Sequence, residues 1–140
     1  MISLEKVIQD IWIFNEAGTV IFHRIFKKVI NEQLIGALIS ALSALAEELE
    51  QGGLSNFEIK DIKYTIIKQH GLSFVVNSSK KTKEKKVQQE LKSIVNTFFN
   101  LYPKEMFESW DNEISVFSDF ENHIEDSLQD TLDKFEDAFW

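Results

Sequence analysis

The chain has 140 residues, 44% of them hydrophobic and 12 of them Phe, which excludes a disordered polymer and fits one domain with a dense aromatic core. It has no cysteine, so disulfide scaffolds, thiolate zinc sites and cysteine nucleophiles are excluded together. The net charge of −8 is uneven: residues 1–102 carry 13 Lys/Arg against 11 Asp/Glu, and residues 103–140 carry 2 Lys against 12 Asp/Glu, an acidic appendage that repels phosphate and argues against nucleic-acid binding.

The first element is a strand from Val7 to Phe14. Its run Ile11-Trp12-Ile13-Phe14 is continuously apolar, which predicts burial on both faces of a sheet. Asn15-Glu16-Ala17-Gly18 is a turn, and Thr19 to Phe26 returns as a second strand, so the chain opens with a β-hairpin. Asn31 is suited to cap a helix and Glu32 to its positive end. The helix is predicted over Leu34 to Gln51, stopped by Gly52-Gly53. Ile35, Leu38, Ile39, Leu42, Leu45, Ala46 and Leu49 share one apolar face. Its opposite side is built of small side chains: Gly36, Ala37, Ser40, Ser43 and Ala44, with Glu47.

Three strands follow, over Phe57 to Ile62, Lys63 to Gln69 and Leu72 to Asn77, with His70-Gly71 as the last turn. Leu72-Ser73-Phe74-Val75-Val76 is nearly all apolar and is expected at the centre of the sheet. Ser78 to Lys86 is expected to form the beginning of a second helix that buries Val87, Leu91, Ile94, Val95, Phe98 and Leu101 and stops at Pro103. Trp110-Asp111-Asn112 is a turn. Ser118-Asp119-Phe120-Glu121 matches a capping box, so a third helix is predicted from about Asp119 to Phe139. It has an apolar stripe (Phe120, Ile124, Leu128, Leu132, Phe135, Phe139) and an acidic opposite side. The order β-β-α-β-β-β-α-α implies an α/β (α+β) fold in three α-β-α layers. Its five-stranded, mainly antiparallel sheet carries the first helix on one face and the later two on the other. Residues 1–140 form a single domain, with a core over 7–110 and an acidic C-terminal helix over 111–140.

Catalytic patterns are missing. The five glycines, Gly18, Gly36, Gly52, Gly53 and Gly71, form no phosphate-binding loop, and there is no G-x-S-x-G elbow. His23, His70 and His123 lie far apart, without a second His at helical spacing. Glu125-Asp126 and Glu136-Asp137 are consecutive, so their side chains do not converge on a cation. Arg24 is the only arginine, hence the single candidate for bidentate phosphate or base recognition. The expectation is therefore no enzyme, with no catalytic, cofactor-binding or metal-binding residues. No apolar run reaches the roughly 18 residues of a membrane span, and Met1 to Lys6 lacks a signal-peptide pattern. A cytoplasmic protein is expected, with peripheral contact at a membrane as an option.

The order of elements resembles the longin domain, a profilin-like module of vesicle-traffic proteins related to the roadblock family. The resemblance covers about residues 7 to 135. It rests on the hairpin Asp10 to His23, on Lys63 to Asn77 as the family's paired fourth and fifth strands, and on Leu91 to Tyr102, ending Phe98-Phe99-Asn100-Leu101-Tyr102, as the end of its second helix. Roadblock domains usually begin with a helix, for which Met1 to Lys6 leaves little room. Longin SNAREs continue into a heptad helix and a membrane anchor, so a sequence running to Trp140 is expected to be a free-standing longin protein. The 16 Ile and the excess of Lys over Arg fit an AT-rich genome, including that of an archaeon.

The resemblance implies a non-enzymatic adaptor that binds or regulates a small GTPase or pairs with another longin or roadblock subunit, a homodimer included. Its alternative is a membrane-trafficking adaptor or tethering-complex subunit without direct GTPase contact. Three surfaces are candidates for partners. One is the small-residue helix side, Gly36, Ala37, Ser40, Ser43, Ala44 and Glu47. Another is the aromatic C-terminus with Phe135, Phe139 and Trp140, whose alternative is an intramolecular core position. The last is the lysine cluster Lys80, Lys81, Lys83, Lys85 and Lys86, suited to an acidic partner, anionic lipid or the acidic tail, with a solvated lysine-rich loop as the plain alternative.

Overall fold

The computed structural model describes residues 8–16, 19–24, 41, 44, 48–49, 53–59, 61–111 and 113–124. Five strands form one sheet: β1 (Ile11–Phe14), β2 (Val20–Arg24), β3 (Leu54–Ile59), β4 (Ile62–Gln69) and β5 (Leu72–Ser79). Their order is β2-β1-β5-β4-β3, and every neighbouring pair is antiparallel. All four residues of β1 are buried, as are the first seven of β5. Both strands lie inside the sheet, with β5 at its centre, which is why their apolar runs do not alternate.

Helix α1 (Glu84–Leu101) leads into two 3-10 helices, Lys104–Glu108 and Ile114–Phe117, and then α2 (Phe120–Ile124). Alternation sends Ile11, Ile13, Phe74, Val76 and Ile67 to one face, where they pack with Val87, Leu91, Ile94, Val95, Phe98, Phe117, Phe120 and Ile124. The other face gathers Trp12, Phe14, Ile66 and Val75, with Leu49 packed against them. Leu49 follows Glu48, which is helical, as are Ala41 and Ala44; the rest of the helix predicted over Leu34 to Gln51 lies outside the described residues.

Phe98 is the hub of the α1 face. Its ring meets Phe74, Phe117 and Phe120 at centroid distances of 5.3, 5.5 and 5.2 Å. Tyr102 and Phe107 close the same cluster at 5.0 and 6.1 Å. Edge-to-face and offset rings at these separations contribute beyond their area alone. The core therefore continues past residue 110, because Phe117, Phe120 and Ile124 fill the space beside Phe98 and Phe22.

Three boundaries differ from the sequence reading. β3 begins at Leu54, three residues before Phe57, because Leu54, Ser55 and Asn56 pair with Ile67, Ile66 and Thr65. The second helix does not start within Ser78 to Lys83. Ser78 and Ser79 remain in β5, held opposite Lys63 and Ile62, and α1 starts at Glu84. The segment after Pro103 folds as two 3-10 turns, the second capped by the Glu113 carboxylate, which accepts from the Ser115 N–H at 3.3 Å. The helix α2 begins at Phe120, in keeping with the capping box that predicts the third helix from about Asp119; residues 125–140 lie outside the described set.

Candidate interaction surfaces

The β4–β5 connection is a two-residue turn between the paired residues Gln69 and Leu72, with φ of 51° at His70 and 81° at Gly71. Positive φ at both positions matches the twist of a tight hairpin, and glycine takes it without strain. The turn brings His70 edge-on to Phe99, with ring centroids 4.9 Å apart.

His70 is a shared wall of two grooves. The first, of about 440 Å³, has Leu54, Ile67, Val95 and Phe99 as apolar lining and Lys92, Asn96 and Asn100 as a polar rim at four-residue spacing on α1. The second, of about 390 Å³, lies among Asn15, Glu16, Lys104, Phe107, Glu108 and Trp110. Neither groove is legible in the periodicity of a single element, because each is assembled from segments far apart in sequence. The spacing of Lys92, Asn96 and Asn100 beside the buried stripe was the available signal.

Two polar arrangements are structural. The carboxamide of Asn77 donates to Asp10 Oδ2 at 2.9 Å, and its Oδ1 accepts from the Asp10 N–H at 2.7 Å; Asp10 and Asn77 are both buried. Burial pushes the nearby Tyr64 hydroxyl above the ordinary tyrosine range; its hydrogen bond with Asn77 opposes this and the Asp10 charge adds to it. Arg24 is buried too. Its Nη1 donates to the Gln9 carbonyl at 2.8 Å, and its Nε lies 3.5 Å from Glu121 Oε1. The lone arginine thus ties β2 to α2 and to the approach to β1, and is not a recognition side chain. Glu121, read in sequence as a capping-box residue, is its partner.

His23, His70 and His123 do not converge; His123 Nε2 lies 3.2 Å from Asp119 Oδ2, on the surface. Hydrogen bonds from Asn122, then His123, hold the exposed Asp119 carboxyl below the usual carboxylate range. Among the described residues, no group of three or more His, Asp or Glu side chains could hold a metal ion. Also among them, no helix is long and apolar enough to cross a membrane.

Of the small-residue helix side, Ala44 is described, and it is helical and exposed; Gly36, Ala37, Ser40, Ser43 and Glu47 lie outside the described residues. Phe135, Phe139 and Trp140 lie outside them too, as do Glu125-Asp126 and Glu136-Asp137. Lys80, Lys81, Lys83 and Lys85 are exposed and Lys86 is half-buried, all between the end of β5 and the first turn of α1.

A family model, that of the first longin domain of FUZ, MON1 and HPS1, matches residues 9–134. The chain belongs to the longin family. The five-stranded antiparallel sheet with its helices is consistent with the α+β longin-like fold expected from the sequence. Longin domains of this type are regulatory or adaptor domains rather than enzymes, and the family supports a trafficking-related role exerted through protein–protein contacts. Comparison with curated proteins returns no match.

Proposed function

We propose that this longin domain is an adaptor or scaffold that binds and regulates a small GTPase or pairs with a second longin or roadblock subunit, a second copy of itself included. The observation that carries the reading is the exposure of Ala41, Ala44 and Glu48, which fall at i, i+3 and i+7 on one helical face. Leu49, beside them, packs towards the sheet, so this face turns away from the core. Small side chains on an outward helix face let another backbone approach closely, where a solvated face favours charge. The proposed partner residues are Ala44 with those that the sequence groups with it, Gly36, Ala37, Ser40, Ser43 and Glu47, and, as a second contact, Phe135, Phe139 and Trp140, all but Ala44 lying outside the described residues.

The test is the double variant Ser40→Arg with Ser43→Arg. Purified wild type and variant are compared for binding to the small GTPases of the same organism, in GDP and GTP forms, and for mass in solution. The expected result is at least a tenfold loss of GTPase binding or loss of the dimer, with the melting temperature retained. Unchanged binding and unchanged mass would remove this face from the proposal. Capture of a longin or roadblock chain without any GTPase would favour a trafficking adaptor or tethering subunit with no direct GTPase contact.

A further inference from the structure

Among the described residues, the sheet has two electrically different ends. β5 has 8 residues and is roughly 26 Å long at about 3.3 Å per residue. At its start lie Glu16, His70 and the first 3-10 helix, with Glu105, Glu108, Asp111 and Glu113 following along that stretch of chain. At its far end lie Lys80, Lys81, Lys83, Lys85 and Lys86. The Debye length in physiological salt is about 8 Å, so the acidic end does not offset the lysines.

The lysines are presented on an ordered backbone. The Lys80 N–H donates to the Asp61 carbonyl at 2.9 Å, the Thr82 N–H to the Ser79 carbonyl at 3.0 Å, and the Lys86 N–H to the Lys83 carbonyl at 3.1 Å. The one carboxylate within the stretch, Glu84, is engaged by the side-chain amides of Asn56 and Gln88. Among the described residues, Lys80, Lys81, Lys83 and Lys85 form no ion pair. These exposed cations crowd the beginning of a helix, where the backbone dipole disfavours them.

We propose that this end is the contact surface for an anionic phospholipid bilayer, with the β5–α1 connection against the headgroups and the acidic end directed away. Three observations favour a bilayer over an acidic peptide. Neither of the two grooves described among these residues has a lysine of this cluster in its lining. The residues from Lys80 to Lys86 include no apolar side chain to anchor a peptide. All five cations are lysines, mobile point charges that suit a diffuse surface potential more than a shaped, bidentate site. The contact needs no protein partner and stands apart from the GTPase reading.

Vesicle flotation of the purified chain tests it. Wild type should float with vesicles of phosphatidylcholine and phosphatidylserine at low ionic strength, stay behind with phosphatidylcholine alone, and be released as salt rises. The quadruple variant with Lys80, Lys81, Lys83 and Lys85 each changed to Gln should partition roughly 100- to 1,000-fold more weakly. Lys80→Gln with Lys81→Gln alone should give an intermediate loss, and Lys104→Gln at the opposite end should change nothing. Absence of wild-type flotation at low salt overturns the proposal, as does a quadruple variant that floats undiminished while keeping its circular dichroism. Binding to an immobilised polyaspartate matrix but not to vesicles would put an acidic protein in the lipid's place and overturn it equally.

Discussion

The two faces of the sheet hold together by different means. The α1 face is a continuous set of rings around Phe98, contributed by β5, α1, both 3-10 helices and α2. The opposite face joins Trp12, Phe14, Ile66 and Val75 to a buried polar pair, Asp10 and Asn77, at the strand ends. Ring packing is strong and tolerant of direction, since many partners share each contact. The polar pair is weaker and directional: its hydrogen bonds fit one register of β5 against the approach to β1, and a slip of one residue would take the Asn77 amide away from the buried Asp10 carboxylate. Among the described residues, the ring cluster is expected to contribute more to stability than the polar pair, which fixes which strands lie where.

The largest test of that contrast is Phe98→Ala. Phe98 is fully buried, so its removal should cost about 3–5 kcal/mol by chemical denaturation, close to what unfolds a marginal domain. A cost under about 1 kcal/mol would mean that the rings repack freely and that the hub is not one.

Asn77→Ala is next. It strips Asp10 of its amide partner and should cost about 1–3 kcal/mol. A loss equal to that of Phe98→Ala would overturn the ranking of the two faces.

The smallest expected effect is alkaline. The chain has two tyrosines, one on each face, and burial raises both hydroxyl pKa values, with the Asp10 charge adding for Tyr64 and the Asp119 charge for Tyr102. A folded-state value above the unfolded one gives stability that is fully present below about pH 10 and lost as pH rises through the raised value. Absorbance titration of Tyr64→Phe and Tyr102→Phe should each leave one late-ionising phenol. A remaining phenol that titrates as free tyrosine would break the assignment for its face.

Much of this was legible in the sequence, and the misses have physical causes. The apolar runs of β1 and β5 announced central strands because burial on both faces leaves no room for alternation. The stripe from Val87 to Phe98 announced α1 because each member of a helical face must be apolar to be buried. Leu54-Ser55-Asn56 gave no strand signal of its own; its partners on β4 impose the conformation. Ser78-Ser79 looked like the approach to a helix, yet the ladder to Ile62 and Lys63 outweighs local preference. The lysine cluster was visible as composition, but its place at one end of the sheet, opposite the acids, was not, because that depends on α1 running back along β5.

The pairing of β1 with β5 places Ile11 opposite Val76 and Phe14 opposite Ser73, so the middle of the sheet is stitched from distant parts of the chain. On a ribosome adding about 5–20 residues per second, β5 is completed roughly 3 to 10 s after β2. The β4–β5 hairpin, closed by two residues, forms in about microseconds once made. The wholly apolar β1 has no such local partner on its inner side. For those seconds its unpaired edge is an open template for other strands, so this step of synthesis is exposed to aberrant pairing.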